Sequence, residues 1–418
     1  MIESRERHED RESREDRECG EGSEDRESRE GRECSEGRED RESSESHDPL
    51  WREDFDRGRF QVKSLPLSLH VACTVGCNLR CRGCVHASGR IQKQGIKPSA
   101  FTGILEVLPY VKNLTFTGSE VFYKPGDPYG YVEQIFDFAK KNPGLNLSAV
   151  TNGTLMGREN AELVLDHFSW CQVSLDALSD EKYSQIRRGG NFTKVIENLK
   201  RIAQMKKARG LSRREAPLIG VSFILSDLCY REVSKTVDLA KDLGLSSITI
   251  VKPWSGTLQE IDILSSAEKV ELFLEEKRKA LKMLAQEDID FVDRTSNFIA
   301  KEYPHLLSEE EKRALPSAKK VSAYPKCCTL PFTDLWINVS GLAYCCCTSP
   351  TIIGNVNRSK IPSLWNSRAI QSMRERIYRG DYSRDCFSNC VKGYALPNYN
   401  DRHLLFRIRR KLRSTFGI

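Results

Sequence analysis

Between residues 67 and 251 this 418-residue chain alternates short apolar runs with longer amphipathic stretches, a pattern that few folds satisfy. Six runs have strand length: 67–72, 113–117, 145–150, 170–175, 218–225 and 246–251. Helical stretches follow them, among them 98–108 with Pro98 in its first turn, 129–141, 192–208 and 230–243. Repeated β-α units build a parallel sheet, because parallel neighbours need a long crossover and a helix is the usual one. The expectation is an α/β protein with a partial (β/α)6 barrel, its chemistry on the loops at the C-terminal ends of the strands.

The first of those loops carries Cys77-Asn-Leu-Arg-Cys81-Arg-Gly-Cys84. Three thiolates on one tight loop can each bind one iron of a [4Fe-4S] cube, while the fourth iron lies beyond their reach and stays open to a substrate or cofactor. Four local cysteines would instead close the site, as in an electron carrier or a structural zinc site. A zinc knuckle, or three unrelated thiols, is the competing reading of the spacing. The chain has 15 cysteines, no apolar run of membrane-spanning length and no apolar secretory core at its N-terminus. The expectation is a cytoplasmic protein whose clustered cysteines ligate metal rather than pair as disulfides.

The Cys-x3-Cys-x2-Cys spacing resembles the signature of the radical S-adenosylmethionine (SAM) enzymes. That resemblance implies a TIM-like barrel with a [4Fe-4S] cluster on Cys77, Cys81 and Cys84, whose open iron is chelated by the amino and carboxylate groups of SAM. One electron from the cluster then cleaves SAM to a 5'-deoxyadenosyl radical, which abstracts hydrogen from a substrate. After the second strand, Thr117-Gly118-Ser119-Glu120 resembles the family's Gly-Gly-Glu motif, with Ser119 in place of the second glycine; the resemblance implies that the Glu120 carboxylate accepts from the SAM amino group. After the third, Thr151-Asn152-Gly153-Thr154 resembles the Thr-Asn-Gly turn beside the nucleoside, and at the fourth Ser174 and Asp176 are implied to face the ribose or methionine. In Ile186-Arg187-Arg188-Gly189 the first arginine is implied to pair with the methionine carboxylate, for which a guanidinium fork is suited. Gly83 stands where the family often has an aromatic residue near the adenine, so another group must hold that ring, and His86 is the candidate. Cys73, Cys171 and Cys229 read as strand or core residues.

A second cysteine-rich region begins at Cys327, after charged helices over 260–316. It contains Cys327-Cys328, Cys345-Cys346-Cys347 and Cys386-x3-Cys390, and a hairpin turning at Ser340-Gly341 would bring the first two groups together. With its Gly-Asn at 354–355 and Trp365-Asn366-Ser367, the region resembles the SPASM or twitch extension of radical SAM enzymes. The resemblance implies one auxiliary [4Fe-4S] cluster, with Cys328, Cys346, Cys386 and Cys390 as ligands and Cys327, Cys345 and Cys347 able to exchange with them. Four thiolates in two groups satisfy zinc equally well.

Two domains, a linker and two flanks are therefore expected: a charged low-complexity tail over 1–48, the core over 60–259, the helical linker over 260–316, the auxiliary domain over 317–395, and a basic helix over 396–418. The tail repeats Arg-Glu-Ser, Arg-Glu-Asp and Arg-Glu-Cys and holds nothing that could form a core; its Cys19 and Cys34 lie in near-copies of one repeat. Residues 1–50 carry 20 acidic and 10 basic side chains, so the other 368 must be net +16 for the chain to reach +6. Such a field favours anionic partners without identifying one. The stretch 402–413, basic with apolar residues between, has the composition of a helix lying on an acidic membrane surface, although a solvated helix packed on the barrel is the commoner outcome; neither feature makes a case for nucleic acid. The function expected is that of a radical SAM enzyme acting on a peptide or protein, fed by an electron donor such as flavodoxin or ferredoxin. The alternatives are a radical dehydrogenase of a sugar-like small molecule and, from another class, a non-catalytic iron-sulfur or zinc binding protein.

Overall fold

The computed structural model describes residues 47–84, 96–253, 258, 261–314, 328–347, 349–381 and 385. The 1–46 part of the tail, His86, Cys327, Cys386, Cys390 and the basic 396–418 segment lie outside the described residues. The six expected strands are present: β1 (Ser68–Val71), β2 (Asn113–Phe116), β3 (Asn146–Thr151), β4 (Phe168–Ser174), β5 (Leu218–Ile224) and β6 (Ser247–Val251). They are joined by β7 (Asp290–Asp293), β8 (Asp334–Ile337), β9 (Leu342–Tyr344) and β10 (Gly354–Asn355) in one sheet of order β10-β9-β8-β1-β2-β3-β4-β5-β6-β7. Neighbours from β1 to β7 are parallel, and β8 adds to β1 in parallel before the chain turns back through antiparallel β9 and β10. The result is a mixed α/β fold on a mostly parallel sheet, and no helix of the described residues is long and apolar enough to cross a membrane.

Strand β7 falls within the stretch read as charged helices. Its sequence, Asp-Phe-Val-Asp, offers only two apolar residues. The aspartates are paired instead, Asp290 with Arg214 at 2.9 Å and Asp293 with Lys277 at 2.7 Å, which an edge strand tolerates because only one of its sides must continue the ladder. Strand β8 crosses the expected boundary between barrel and cysteine-rich region. Its Trp336 stands opposite His70 of β1, the two rings stack 3.9 Å apart, and His70 Nε2 lies 3.0 Å from Asp334 Oδ1.

The sheet has two unlike faces. Leu69, Val71, Leu114, Phe116, Leu147, Ala149, Val173, Val221, Ile248 and Ile250 are buried in a single core with Phe101, Ile104, Ile135, Val164, Leu199 and Ile202 of the surrounding helices. Truncating one of these leucines or isoleucines to Ala would cost about 2–5 kcal/mol. On the other face the residues of β1, β2 and β3 are mostly polar. Asn146 Nδ2 donates to Asn113 Oδ1, Asn113 Nδ2 donates to Ser68 Oγ, and the Thr115 and Ser148 hydroxyls lie 3.2 Å apart. A closed TIM barrel fills that side with branched aliphatic layers. Here it is a hydrogen-bonded polar lining, the surface expected of a space that receives polar ligands.

The C-terminal segments are fastened to the chain ahead of β1. Asn366 exchanges two 2.9 Å bonds with the Val62 backbone, Trp365 Nε1 donates to the Ser64 carbonyl at 3.0 Å, and the buried Arg374 donates to the carbonyls of Pro331 and Phe60. The Trp365-Asn366-Ser367 segment thus has a framework role.

Candidate active site

The loop after β1 is tied down by three other strand ends. From the β2 end, Ser119 Oγ donates to the Thr74 carbonyl at 2.8 Å and the Glu120 N–H to Gly76. The serine that departs from the Gly-Gly pattern therefore has a structural task. Gly118 itself is required: its φ is +89°, and an added Cβ would meet the Ala72 Cβ at 2.9 Å. From the β3 end, Asn152 and Thr154 bond Asn78, and beyond β4 the carbonyls of Arg188 and Ile186 accept from Arg80 and Arg82. The loop is held in place from all sides by backbone and short polar groups before any ligand arrives.

Cys77, Cys81 and Cys84 line a cavity of about 250 Å³ together with Gly118, Ser119, Glu120, Asn152, Ser174, Asp176 and Arg187, so the structure brings these candidates to one place, while His86 lies outside the described residues. Each thiolate of a cube binds a different iron, so its ligands need not meet at one point, and among the described residues no three His, Cys, Asp or Glu side chains do. Burial pushes the Cys77 and Cys81 thiols up from their ordinary range, opposed at Cys77 by the Leu79 N–H and at Cys81 by the Arg187 charge.

The side chains around the cavity are already engaged with one another. Glu120 is 2% exposed; its Oε1 accepts from Thr151 Oγ1 at 2.6 Å and its Oε2 from the Asn152 N–H at 2.7 Å. Burial raises its pKa, and these donors oppose the rise. Asp176, 1% exposed at φ +61°, accepts from Arg187 Nε at 2.6 Å through Oδ2 and from the Ile224 N–H through Oδ1. Burial works against the Arg187 charge, but Asp176 and Cys81 more than offset it, and its Nη1 lies 3.8 Å from Cys81 Sγ. Both carboxylates thus orient neighbouring groups as well as facing the cavity. Val150, Ile186, Ile224 and Leu258 form an apolar wall, of which only Ile186 lay within a motif, and Val150 is 42% exposed. Asn78 was missed as well; its only signal was an amide between the first two cysteines.

Cys73, Cys171 and Cys229 are buried core residues, as expected. In the second region Cys345 is 2% exposed and donates to Met373 Sδ, Cys328 and Cys346 are half-buried against the core, and Cys347 is exposed. Asp385, the residue before Cys386, is anchored by Arg376 at 2.8 Å and by Thr351 Oγ1 at 2.8 Å.

Comparison with known proteins follows the same two regions. Residues 71–212 match the radical SAM superfamily and residues 327–391 the iron-sulfur cluster-binding domain called SPASM. A GTP 3',8-cyclase of Chlorobaculum tepidum is 30% identical over 137 residues, covering 32% of this chain and 40% of that protein. A probable GTP 3',8-cyclase of Methanococcus maripaludis is 28% identical over 192 residues, covering 45% of this chain and 58% of that protein. The chain thus spans about half the length of the curated relatives it matches. Among solved structures, Streptococcus suis SuiB bound to S-adenosylmethionine is similar in fold, with TM-score 0.53 and 14% identity over 80% of this chain and 72% of that one. With both models matched, and in the order that the cysteine groups follow, the chain carries a radical SAM domain over residues 71–212 and a SPASM domain over residues 327–391, which together imply a [4Fe-4S] cluster, SAM and auxiliary iron-sulfur binding.

Proposed function

We propose that the protein is an enzyme that reductively cleaves SAM at a [4Fe-4S] cluster held by Cys77, Cys81 and Cys84 and abstracts hydrogen from a peptide or protein substrate. The observation that carries this is the single cavity in which the three-cysteine loop faces Glu120, Asn152, Ser174, Asp176 and Arg187. Its donor set suits the group: three thiols on one wall, a carboxylate for an amino group, a guanidinium for a carboxylate, and the aliphatic wall of Ile186, Ile224 and Leu258 for a ring that Gly83 leaves uncovered. When bound, the cluster and SAM supply one-electron cleavage of the sulfonium and the hydrogen abstraction. The chain's residues supply the rest: Asp176 aims Arg187, and Glu120 joins the β2 and β3 ends.

The auxiliary site in this reading is one [4Fe-4S] cluster on Cys328, Cys346, Cys386 and Cys390. The burial of Cys345 in the core supports leaving it out of the ligand set. A peptide substrate is supported by SuiB, whose structure was solved with its precursor peptide SuiA, in a fold with TM-score 0.53 to this one. A small molecule is the second reading, favoured by the cyclase relatives. The net +16 of residues 51–418 suits an acidic electron donor such as a flavodoxin or ferredoxin. Anaerobic reconstitution followed by reduction with SAM tests the proposal: 5'-deoxyadenosine must form, and its absence from protein with a full iron complement would sink it. Stimulation of that reaction by GTP, with none by a peptide encoded beside the gene, would overturn the peptide reading.

A further inference from the structure

We propose that Asn152 is the residue through which the barrel sets the reduction potential of the loop cluster, by donating an N–H···S hydrogen bond to Cys77. This rests on the reading of residues 77–84 as a cluster site. Asn152 Nδ2 lies 3.6 Å from Cys77 Sγ and 3.0 Å from Asn78 Oδ1, so its two amide hydrogens have one acceptor each.

The orientation of that amide is dictated by a closed ring of three side chains. Asn78 Nδ2 donates to Thr154 Oγ1 at 2.8 Å, Thr154 Oγ1 donates to Asn152 Oδ1, and Asn152 Nδ2 donates back to Asn78 Oδ1. The Thr154 N–H adds a second bond to Asn152 Oδ1 at 2.9 Å. Exchanging the oxygen and nitrogen of Asn152 would set an oxygen against Asn78 Oδ1 and an NH2 against the Thr154 N–H, so the ring admits one assignment. The backbone N–H of Asn152 is fixed in turn by Glu120. Asn152 and Thr154 are 5% and 6% exposed, so water competes little for these groups.

The remaining hydrogen of Asn152 is therefore held on the thiolate that would bind one iron, beside the Leu79 N–H, which donates to the same sulfur at 3.4 Å. A donor to a ligating sulfur withdraws electron density and stabilises the more negative reduced cluster, which raises its potential. Arg187 approaches Cys81 Sγ in the same sense from the opposite wall. It is also the proposed carboxylate clamp, so Asn152 is the cleaner residue to test.

Redox titration of the full-length, reconstituted protein, followed through the EPR signal that SAM perturbs, reads the effect directly. Asn152→Asp keeps the acceptor for Thr154, removes the N–H donors and adds a negative charge, so its midpoint should move to more negative values. Asn152→Ala should move the same way by less, since it adds no charge. Thr154→Val opens the ring but leaves the residue-154 N–H on Asn152 Oδ1, so it only loosens the amide and should give the smallest shift in that direction. A purely structural role would lower thermal stability and leave the midpoint where it is. Unchanged midpoints in variants with wild-type iron content would overturn the inference. Should Asn152→Asp fail to hold the cluster, Asn152→Ala and Thr154→Val carry the same two outcomes. A wild-type protein that assembles no SAM-sensitive cluster would overturn the proposed function and this inference with it, whereas normal SAM cleavage with insensitive midpoints defeats this inference alone.

Discussion

The two cysteine-bearing regions are organised by opposite means. Around residues 77–84 hydrogen bonds converge on the loop itself, from Ser119, Asn152, Thr154 and the 186–188 carbonyls. In the C-terminal region they converge on the framework, where Trp365, Asn366 and Arg374 grip the backbone at residues 60–64 and 331. Its cysteines follow from packing: the strand alternation of β9 continues into Cys345, which turns inward, while Cys347 faces out. The buried arginines repeat the contrast. Arg187 is paired with a carboxylate and aimed at a site, whereas Arg374 sits between the Trp365 and Phe332 rings on backbone carbonyls, its charge opposed by burial. A preorganised loop fits a site that must bind and release a cofactor in one geometry; a packed framework needs only to bring ligands together once.

The largest effects should separate the two regions outright. Changing Cys77, Cys81 or Cys84 to Ala should abolish 5'-deoxyadenosine formation, whereas Cys386→Ala with Cys390→Ala should spare SAM cleavage and lose substrate turnover. Iron should fall from about eight per chain to about four in either case. Iron loss from both sites in either variant would break the comparison.

Next come the arginines. Arg187→Ala leaves Asp176 buried without its partner, a cost of about 3–5 kcal/mol in denaturant unfolding. Arg374→Met should cost less, about 1–3 kcal/mol in all, because the loss of its bonds to the Pro331 and Phe60 carbonyls is offset by removal of a charge that burial opposes. Equal losses would mean that the two arginines do the same work.

Glu120→Ala should weaken SAM binding by roughly one to two decades, from a charge-assisted hydrogen bond worth about 1.5–3 kcal/mol. Equilibrium binding measures it, and unchanged affinity would leave Glu120 with its bonds to Thr151, Asn152 and Phe122 alone.

The smallest effect sharpens the ligand assignment. Cys345→Ala should lower stability by about 1 kcal/mol through lost packing and leave iron content intact. Cys346→Ala should do the reverse, and iron loss in the first variant would exchange their roles.

What the sequence determined by itself was whatever depends on local pattern. Apolar runs of strand length with helical stretches between them specified six strands and a parallel sheet, and thiolate spacing specified a loop with an open metal position, because both are set within a few residues. Glu120, Asn152, Asp176 and Arg187 could be picked as site residues from their places after successive strands, but not as partners of one another, since Asp176 and Arg187 meet only when the β4 end turns back at a positive φ. Strand β7 stayed hidden because Arg214 and Lys277, far away in sequence, compensate its aspartates. The addition of β8 to β1, the burial of Cys345 and the Asn78–Thr154–Asn152 ring were decided by tertiary structure alone. Each depends on which distant groups share one space and can satisfy each other's hydrogen bonds away from water, and no window of sequence contains that information.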